Sequence, residues 1–132
     1  MALCRRMGTD IMNKAQAIDA FWKSFGIPAY EQTTVNDENT GDFYITYEVV
    51  TDSLDRAVPM SASIWQKHTA SWEAVTLKAE EISNALKQVK SIPLDTGFLY
   101  ITRGQPFAQH VADEDETTRR IYINVMAEFL AP

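Results

Sequence analysis

The chain has 132 residues, of which 45% are apolar and 23% charged, and it carries a net charge of −6 with an isoelectric point near 4.8. This length and composition fit one globular domain, and no stretch reaches the ~18 apolar residues of a membrane span. Because an acidic chain repels phosphate backbones, the charge argues against a nucleic-acid binder that works by neutralising phosphates. The single cysteine, Cys4, excludes an intrachain disulfide and a thiolate metal cluster.

Residues 1–12 are the least regular part of the sequence. The start MALCRRMGTDIM contains arginines but no apolar run behind them, so it does not match a signal peptide. We predict a flexible leader over residues 1–12, with either Met1 or Met12 as the true start. A single domain is predicted over residues 13–132.

The first regular element is an amphipathic helix. Asn13 is a plausible N-cap, and apolar residues then recur at spacings of three to four. The stripe comprises Ala15, Ile18, Trp22 and Phe25. Gly26 and Pro28 end the pattern, which predicts a helix over about residues 13–25.

Three β-prone segments follow the first helix. Residues 29–35, 43–50 and 58–68 are rich in aromatic, β-branched or alternating apolar residues. The segments between them, NDENTG (36–41) and TDSLDR (51–56), are typical of turns. The spacing predicts three strands joined by short turns.

A second amphipathic helix is predicted over about residues 72–89, after a capping Ser71. Its apolar stripe comprises Trp72, Val75, Ala79, Ile82, Leu86 and Val89. The segment SIPLDTG (91–97) is typical of a turn region, because it combines proline, aspartate and glycine. It leads towards the last two predicted strands.

Residues 97–104 and 120–130 are the last predicted strands, and residues 105–119 between them are predicted to be a long connection. The element order is therefore α-β-β-β-α-β-β. Short turns between strands favour hairpins, so we expect a largely antiparallel sheet with both helices packed on one face, in the α+β class.

Several strands are apolar on both faces. Tyr44, Trp65, Tyr122 and Met126 lie opposite the residues expected in the core. A base-stacking surface is disfavoured because basic residues are not interleaved with these side chains in the sequence. Since helices on one face cannot cover both, we predict leftover apolar surface at a subunit contact.

Catalytic motifs are missing from the sequence. The two histidines, His68 and His110, lie in no zinc-binding pattern such as H-E-x-x-H. There is no G-x-S-x-G elbow, Walker loop or G-x-G-x-x-G. We therefore predict that both histidines are surface or loop residues.

The segment VADEDETTRR (111–120) places four carboxylates in a row, with arginines after two threonines. Adjacent side chains diverge and cannot all face one ion, whereas calcium loops space their ligands at alternate positions. Acid–base catalysis needs carboxylates in different, usually buried, environments. We predict an exposed charged loop whose base is held by one of the arginines. The candidate interaction residues are Asp113, Glu114, Asp115, Glu116, Arg119 and Arg120.

Four long stretches carry a resemblance to a known family. They are NKAQAIDAFWKSFGIPAYEQTTV, FYITYEVVTDSL, PMSASIWQKHTASWEAVTLKAEEI and GFLYITRGQPFAQHVADEDETTRRIYINVMAEFL. Together they resemble the tail completion (tail terminator) proteins of long-tailed bacteriophages and prophages, over residues 12–131. The likeness is one of overall pattern and includes no catalytic signature.

The resemblance implies a small α+β structural subunit of the virion tail or neck, made in the host bacterial cytoplasm. Such subunits form a ring, commonly a homohexamer, that caps the tail tube and meets the head-side connector protein. DNA passes through the lumen without sequence-specific binding. The resemblance implies no catalytic residues, no cofactor, no metal and no membrane.

Two other functions stay open at this point. A head–tail joining neck protein (stopper or minor capsid) is similar in size to a tail completion protein and is easily confused with one. A small enzyme using residues 113–116 or His110 is the alternative from another class. It predicts binding of a divalent metal through the carboxylates.

Overall fold

The computed structural model describes residues 12–33, 41–48, 58–95, 97–111 and 116–130. These residues form two helices and a curled, mostly antiparallel sheet of six strands, which confirms the α+β class. In chain order the elements are α1 (Lys14–Lys23), β1 (Ala29–Glu31), β2 (Phe43–Tyr47), β3 (Val58–Lys67), α2 (Glu73–Ala85), β4 (Lys90–Leu94), β5 (Gly97–Val111) and β6 (Thr118–Leu130).

The strands lie in the order β1-β2-β3-β6-β5-β4. Every neighbouring pair is antiparallel except β1 and β2, which are parallel, with Ala29 opposite Ile45 and Glu31 opposite Tyr47. A hairpin between the first two strands is therefore wrong, since a short hairpin joins only antiparallel strands. The sheet places β6 at its centre, between β3 and β5.

Helix α1 begins where the sequence predicts. The Asn13 side chain accepts a hydrogen bond from the Gln16 backbone N–H (2.8 Å), and the Gln16 side chain accepts one from the Asn13 N–H (3.0 Å). This reciprocal capping box satisfies two otherwise unpaired donors. Gly26, at φ 84°, follows the helix in a backbone conformation that favours glycine. Ala15, predicted in the apolar stripe, is exposed.

Helix α2 is shorter than predicted. The Ser71 hydroxyl accepts a hydrogen bond from the Glu73 N–H (3.1 Å), and the helix ends at Ala85. Leu86 is still buried, but Val89 is 51% exposed, so its predicted place in the buried stripe is wrong. The chain leaves the helix there because β4 begins at Lys90 and pairs with β5.

Strand β4 lies in a segment predicted to be a turn, so the order α-β-β-β-α-β-β lacks one strand. Ile92 and Leu94 are buried and alternate with exposed residues, which is the pattern of a strand with one covered face. Pro93 is tolerated because β4 lies at the edge of the sheet. Tertiary pairing with β5 overrides the turn-like composition of the segment.

The predicted connection over residues 105–119 is also mostly wrong. Strand β5 runs on to Val111 and β6 begins at Thr118, so only residues 112–117 connect them. The register shifts between Arg103 and Ala108, where four residues of β5 lie opposite Asn124 of β6. The Asn124 side-chain amide donates to the Pro106 carbonyl oxygen (3.0 Å) and closes this bulge.

One hydrophobic core joins the two helices to alternate residues of the strands. Its members include Ala17, Ile18, Phe21 and Trp22 from α1, Val75, Ala79 and Ile82 from α2, and Ile45, Ile64, Leu99, Ile101, Ile121, Ile123, Val125 and Phe129 from the sheet. On β6 every second residue from Ile121 to Phe129 is buried, and the residues between them are half-buried. Strand β6 therefore presents two distinct faces.

Of the predicted leader, residues 1–11 lie outside the described residues. Met12 forms a parallel bridge to Leu94 of β4, and its carbonyl oxygen accepts a hydrogen bond from the Asp95 N–H (3.0 Å). Met12 also packs against the core. The fold thus uses Met12 to cover part of the outer edge of β4.

A polar contact fastens α1 to β2. The Tyr47 hydroxyl donates to the Asp19 carboxylate, and Lys23 pairs with the same group at 2.9 Å. Partial burial alone would raise the pKa of Asp19, but hydrogen bonds from Tyr47 and Lys23 and the charge of Lys23 outweigh it and lower that pKa below 3.8. Burial and the neighbouring carboxylate raise the pKa of Tyr47.

The Asp19→Asn variant is expected to lose about 1 kcal/mol of unfolding free energy at neutral pH, a modest figure because the carboxylate is partly solvated. Since the pKa of Asp19 is lowered on folding, its stabilisation is present above 3.8 and is lost as pH falls through the folded-state pKa. Urea unfolding of both proteins across the acidic range measures this. Tyr47→Phe is the matched control, because it removes the hydrogen bond between Tyr47 and Asp19 but keeps the Asp19 carboxylate. A constant difference between wild type and Asp19→Asn down to low pH would contradict the prediction.

Candidate interaction surface

The face of the sheet opposite the core carries a row of aromatic side chains. Tyr30 packs edge-on against Tyr44 (centroids 6.1 Å apart, 67°), and Tyr44 stacks on Trp65 (6.3 Å, 12°). The Arg120 guanidinium lies over the Trp65 ring at 4.7 Å. We call Tyr30, Tyr44, Trp65 and Arg120 the aromatic row. It crosses four neighbouring strands, from β1 to β6.

Buried hydroxyl groups fix this row in place. The Trp65 indole N–H donates to the Thr46 hydroxyl (2.9 Å), and the Arg120 Nε–H donates to the Ser63 hydroxyl (3.0 Å). Thr46 and Ser63 are cross-strand partners, and both are buried. The hydrogen bonds satisfy groups that would be costly to bury alone.

The row also bears on the base-stacking hypothesis. Basic side chains are not interleaved with the aromatic residues in the sequence, but the fold brings some of them together. The Lys67 ammonium group lies 5.5 Å from the Tyr44 ring centre. However, Tyr44 is only 3% exposed, and Arg120 already covers Trp65. Base stacking needs open ring faces, so the row fits a structural role better.

Exposed apolar residues lie at the other end of the same face. Phe98 and Leu130 are cross-strand partners on β5 and β6 and are 41% and 40% exposed. Val89, 51% exposed, lines a depression with Leu130, Tyr100 and other residues of these strands. We call Val89, Phe98 and Leu130 the apolar patch. Large apolar side chains grouped in this way are typical of contact surfaces.

The predicted acidic loop is only partly described. Asp113, Glu114 and Asp115 lie outside the described residues, and Glu116 is exposed. The two arginines that follow point to opposite faces of β6, so they do not form one site. Arg120 belongs to the aromatic row, whereas Arg119 lies on the side of α2.

Arg119 ties the start of β6 to the segment before α2. Its Nε–H donates to the Ala70 carbonyl oxygen (3.0 Å), and its guanidinium lies 5.2 Å from the Trp72 ring centre. His110 stacks on Trp72, with the rings 4.0 Å apart and 4° from parallel. The turn after the acidic run is thereby anchored to the segment that precedes α2, as the hydrogen bond from the Thr69 N–H to the Thr117 carbonyl oxygen (2.9 Å) also shows.

Sequence reasoning missed this cluster of Trp72, His110 and Arg119. The sequence places Trp72 in the apolar stripe of the second helix, but His110 and Arg119 lie far from it along the chain. The cluster forms because β5 extends to Val111 and carries His110 beside α2. No local pattern in QPFAQHV signals that extension.

Within the described part of the chain, no three His, Cys, Asp or Glu side chains are grouped so that they could hold a metal ion. His68 lies 3.1 Å from Asp42, and both side chains are well exposed to solvent. None of the helices in the described residues is long and apolar enough to cross a bilayer.

Comparisons with protein-family models, curated proteins and solved structures found no match to this chain. The likeness to tail completion proteins therefore remains a prediction.

Proposed function

We propose that this protein is a structural subunit of a ring, a homohexamer by resemblance, that caps the tail tube of a long-tailed phage or prophage and joins it to the head connector. Its partners in this role are other copies of itself, the tail tube protein and the head-side connector protein. It acts by assembly and performs no catalysis. The resemblance to tail completion proteins supplies the biological role, and the apolar patch supports the assembly.

The apolar patch is the observation that carries the proposal. Phe98 and Leu130 alternate along their strands with Leu99 and Phe129, which belong to the core. The patch therefore points away from the core. Because exposed apolar groups of this size gain free energy when covered, they favour a protein contact.

The proposal includes the expected arrangement of both helices on one face of the sheet. In support, α1 and α2 contribute residues to the same core cluster as Leu99 and Phe129. Among the residues that the structure describes, the opposite face then has no helix of its own to cover it. A neighbouring subunit would supply that cover.

An acidic subunit also suits a ring through which DNA passes. The net charge of −6 repels the phosphate backbone, so a lumen lined by this protein would let DNA slide without gripping it. The proposal therefore includes a DNA passage with no sequence-specific binding.

Native mass spectrometry and negative-stain microscopy of the purified chain test the ring. The expected result is a closed oligomer that binds tail tubes assembled from the tube protein. A chain that stays monomeric at high concentration and ignores the tubes would refute the proposal. Pull-down against the portal-side adaptor and the tube protein separates a tail terminator from a neck protein, because a neck protein would prefer the adaptor.

Replacing residues 113–116 with alanine is expected to leave the melting temperature within a few degrees of wild type. Exposed charges contribute ~0–1 kcal/mol each, so the fold tolerates their loss. Ring assembly or tube attachment is expected to weaken instead, and both are measurable by microscopy. A matched Asn/Gln variant keeps the side-chain shapes without the charge. A large loss of thermal stability would instead show that residues 113–116 stabilise the fold.

A further inference from the structure

A hollow of about 610 Å³ lies between the end of α2 and the bulge of β5. One wall consists of Leu86, Lys87 and Val89, and the other consists of residues 102–107. The hollow forms because the pairing of β5 with β6 shifts register after Arg103, so the chain leaves the regular ladder there. A hollow of this volume is large enough to take a small organic molecule.

The polar side chains that line this hollow are cationic or neutral. Lys87 lines it from the end of α2 and Arg103 from β5, and both side chains are exposed. Gln105 adds a side-chain amide. Among the described residues that line the hollow, none is an aspartate or a glutamate. In a chain of net charge −6, the hollow is therefore a local site of positive charge.

The Arg103 guanidinium is held in place by α2. Its Nη1 atom donates to the Ser83 hydroxyl (3.1 Å). Because a guanidinium carries five N–H donors in a fixed planar fork, this bond orients the group and leaves other donors available. Within the part of the chain that the structure describes, no carboxylate pairs with Arg103.

The Lys87 side chain has no structural partner at the end of α2. A cation at a helix C-terminus commonly bonds to the last carbonyl oxygens. Here those oxygens already accept hydrogen bonds from the backbone N–H groups of Leu86 and Lys87. No hydrogen bond or ion pair joins the Lys87 ammonium group to another described residue. Its charge is therefore available to a ligand.

Apolar side chains lie beside these cations in the same hollow. Phe107 is half-buried and packs against the core, whereas Val89 is exposed. An anion that carries an organic group can place its charged end on the cations and cover these side chains with the rest of the molecule. The hollow thus combines a charged end with an apolar wall.

We propose that this hollow binds a small organic phosphate. The phosphate lies on Arg103 and Lys87, and the organic group lies against Val89 and Phe107. A phosphate matches the guanidinium fork with two oxygens, and its second negative charge suits the second cation. The inference does not depend on the proposed ring, because the hollow is formed within one chain.

Phosphorus NMR of phenyl phosphate, at constant ionic strength, tests this site. The ligand signal broadens or shifts on binding whatever the oligomeric state of the protein, and a saturable change at millimolar concentrations is expected. Arg103→Gln is expected to raise the dissociation constant about tenfold or more, since it removes the paired charge-assisted hydrogen bonds. Lys87→Gln is expected to act in the same direction.

Lys23→Gln is the matched control. It removes the same charge from α1, where Lys23 pairs with Asp19 and lines no part of the hollow. Because distant exposed charges are screened by salt, the dissociation constant is expected to change by less than about twofold. Circular dichroism checks that each variant folds.

Competition experiments separate the two ends of the site. Inorganic phosphate is expected to compete more weakly than phenyl phosphate, because it cannot cover the apolar wall. Benzoate has the ring but a single negative charge, so it is also expected to compete more weakly. Benzoate that competes as well as phenyl phosphate would overturn the assignment to phosphate.

Two results would overturn the site itself. One is a phenyl phosphate signal that the wild-type protein leaves unchanged. The other is an equal loss of binding in Arg103→Gln and Lys23→Gln, which would show that the charge of the whole chain attracts the anion. Neither result bears on the ring, which mass spectrometry of the purified chain tests separately.

Discussion

Replacing Trp22 with alanine is expected to lower the free energy of unfolding by about 3–5 kcal/mol. Trp22 is fully buried, lies edge-on to Phe21 with ring centres 4.8 Å apart, and stacks on Tyr47 at 6.4 Å. The substitution leaves a cavity between α1 and β2. Since small domains are stable by only about 5–15 kcal/mol, chemical denaturation should show a large fall in the midpoint.

Trp22→Phe is the matched control for this loss. The Trp22 indole N–H is buried and has no hydrogen-bond partner among the described residues. Phenylalanine keeps most of the apolar contact and removes an unpaired donor, whose burial itself is unfavourable. We expect Trp22→Phe to cost about 1.5 kcal/mol or less. Equal losses in the two variants would show that the indole contributes through a polar contact.

Gly104→Ala is expected to destabilise the protein by about 3 kcal/mol, at the upper end for overpacking. Gly104 is buried in the bulge of β5, and a Cβ there would lie 2.9 Å from both the carbonyl oxygen and the Cβ of Asn124. Backbone atoms of the central strand cannot move aside without breaking the pairing of β5 with β6. Urea unfolding measures the loss.

Thr102→Ala provides a control on the same strand. Thr102 is exposed, so its truncation should change stability by about 0.5 kcal/mol or less. Proton NMR should also show that Gly104→Ala disturbs the Asn124 side-chain amide, which donates to Pro106. If Gly104→Ala and Thr102→Ala had the same free energy of unfolding, the prediction would be wrong, because the bulge would have moved to accommodate the added Cβ.

The parts of the fold that were predicted correctly have local causes. The start of α1 follows from the side chains of Asn13 and Gln16, which lie three residues apart. Strands β3 and β6 follow from alternation, as in the buried run from Ile121 to Phe129. Such signals depend on neighbours in sequence, so the sequence alone reveals them.

The errors come from contacts between distant residues. Strand β4 contains Pro93, and the second half of β5 contains Pro106, so neither segment has a strand-like composition. Both are strands because an adjacent strand supplies hydrogen bonds and a covered face. Likewise, the parallel pairing of β1 with β2 has no local signature in the sequence.

The candidate surface was predicted only in outline. Alternation predicted a second apolar face, and Tyr44, Trp65 and Met126 do lie on the side away from the core. Val89 is exposed because α2 ends at Ala85, whereas the apolar stripe predicted a helix that reached residue 89. Separating Arg119 from Arg120 required the strand register, because adjacent residues of a strand face opposite ways.

The central position of β6 has a consequence for the growing chain. Strand β6 is the last described strand to leave the ribosome, yet it is the one that joins β3 to β5. Until it emerges, β1–β3 and β4–β5 are separate fragments, each with an unpaired edge. Unpaired edges invite association between nascent chains, and pairings of high sequence separation form slowly. Yield of folded protein should therefore depend on chaperones that shield the edges of β3 and β5 until β6 emerges.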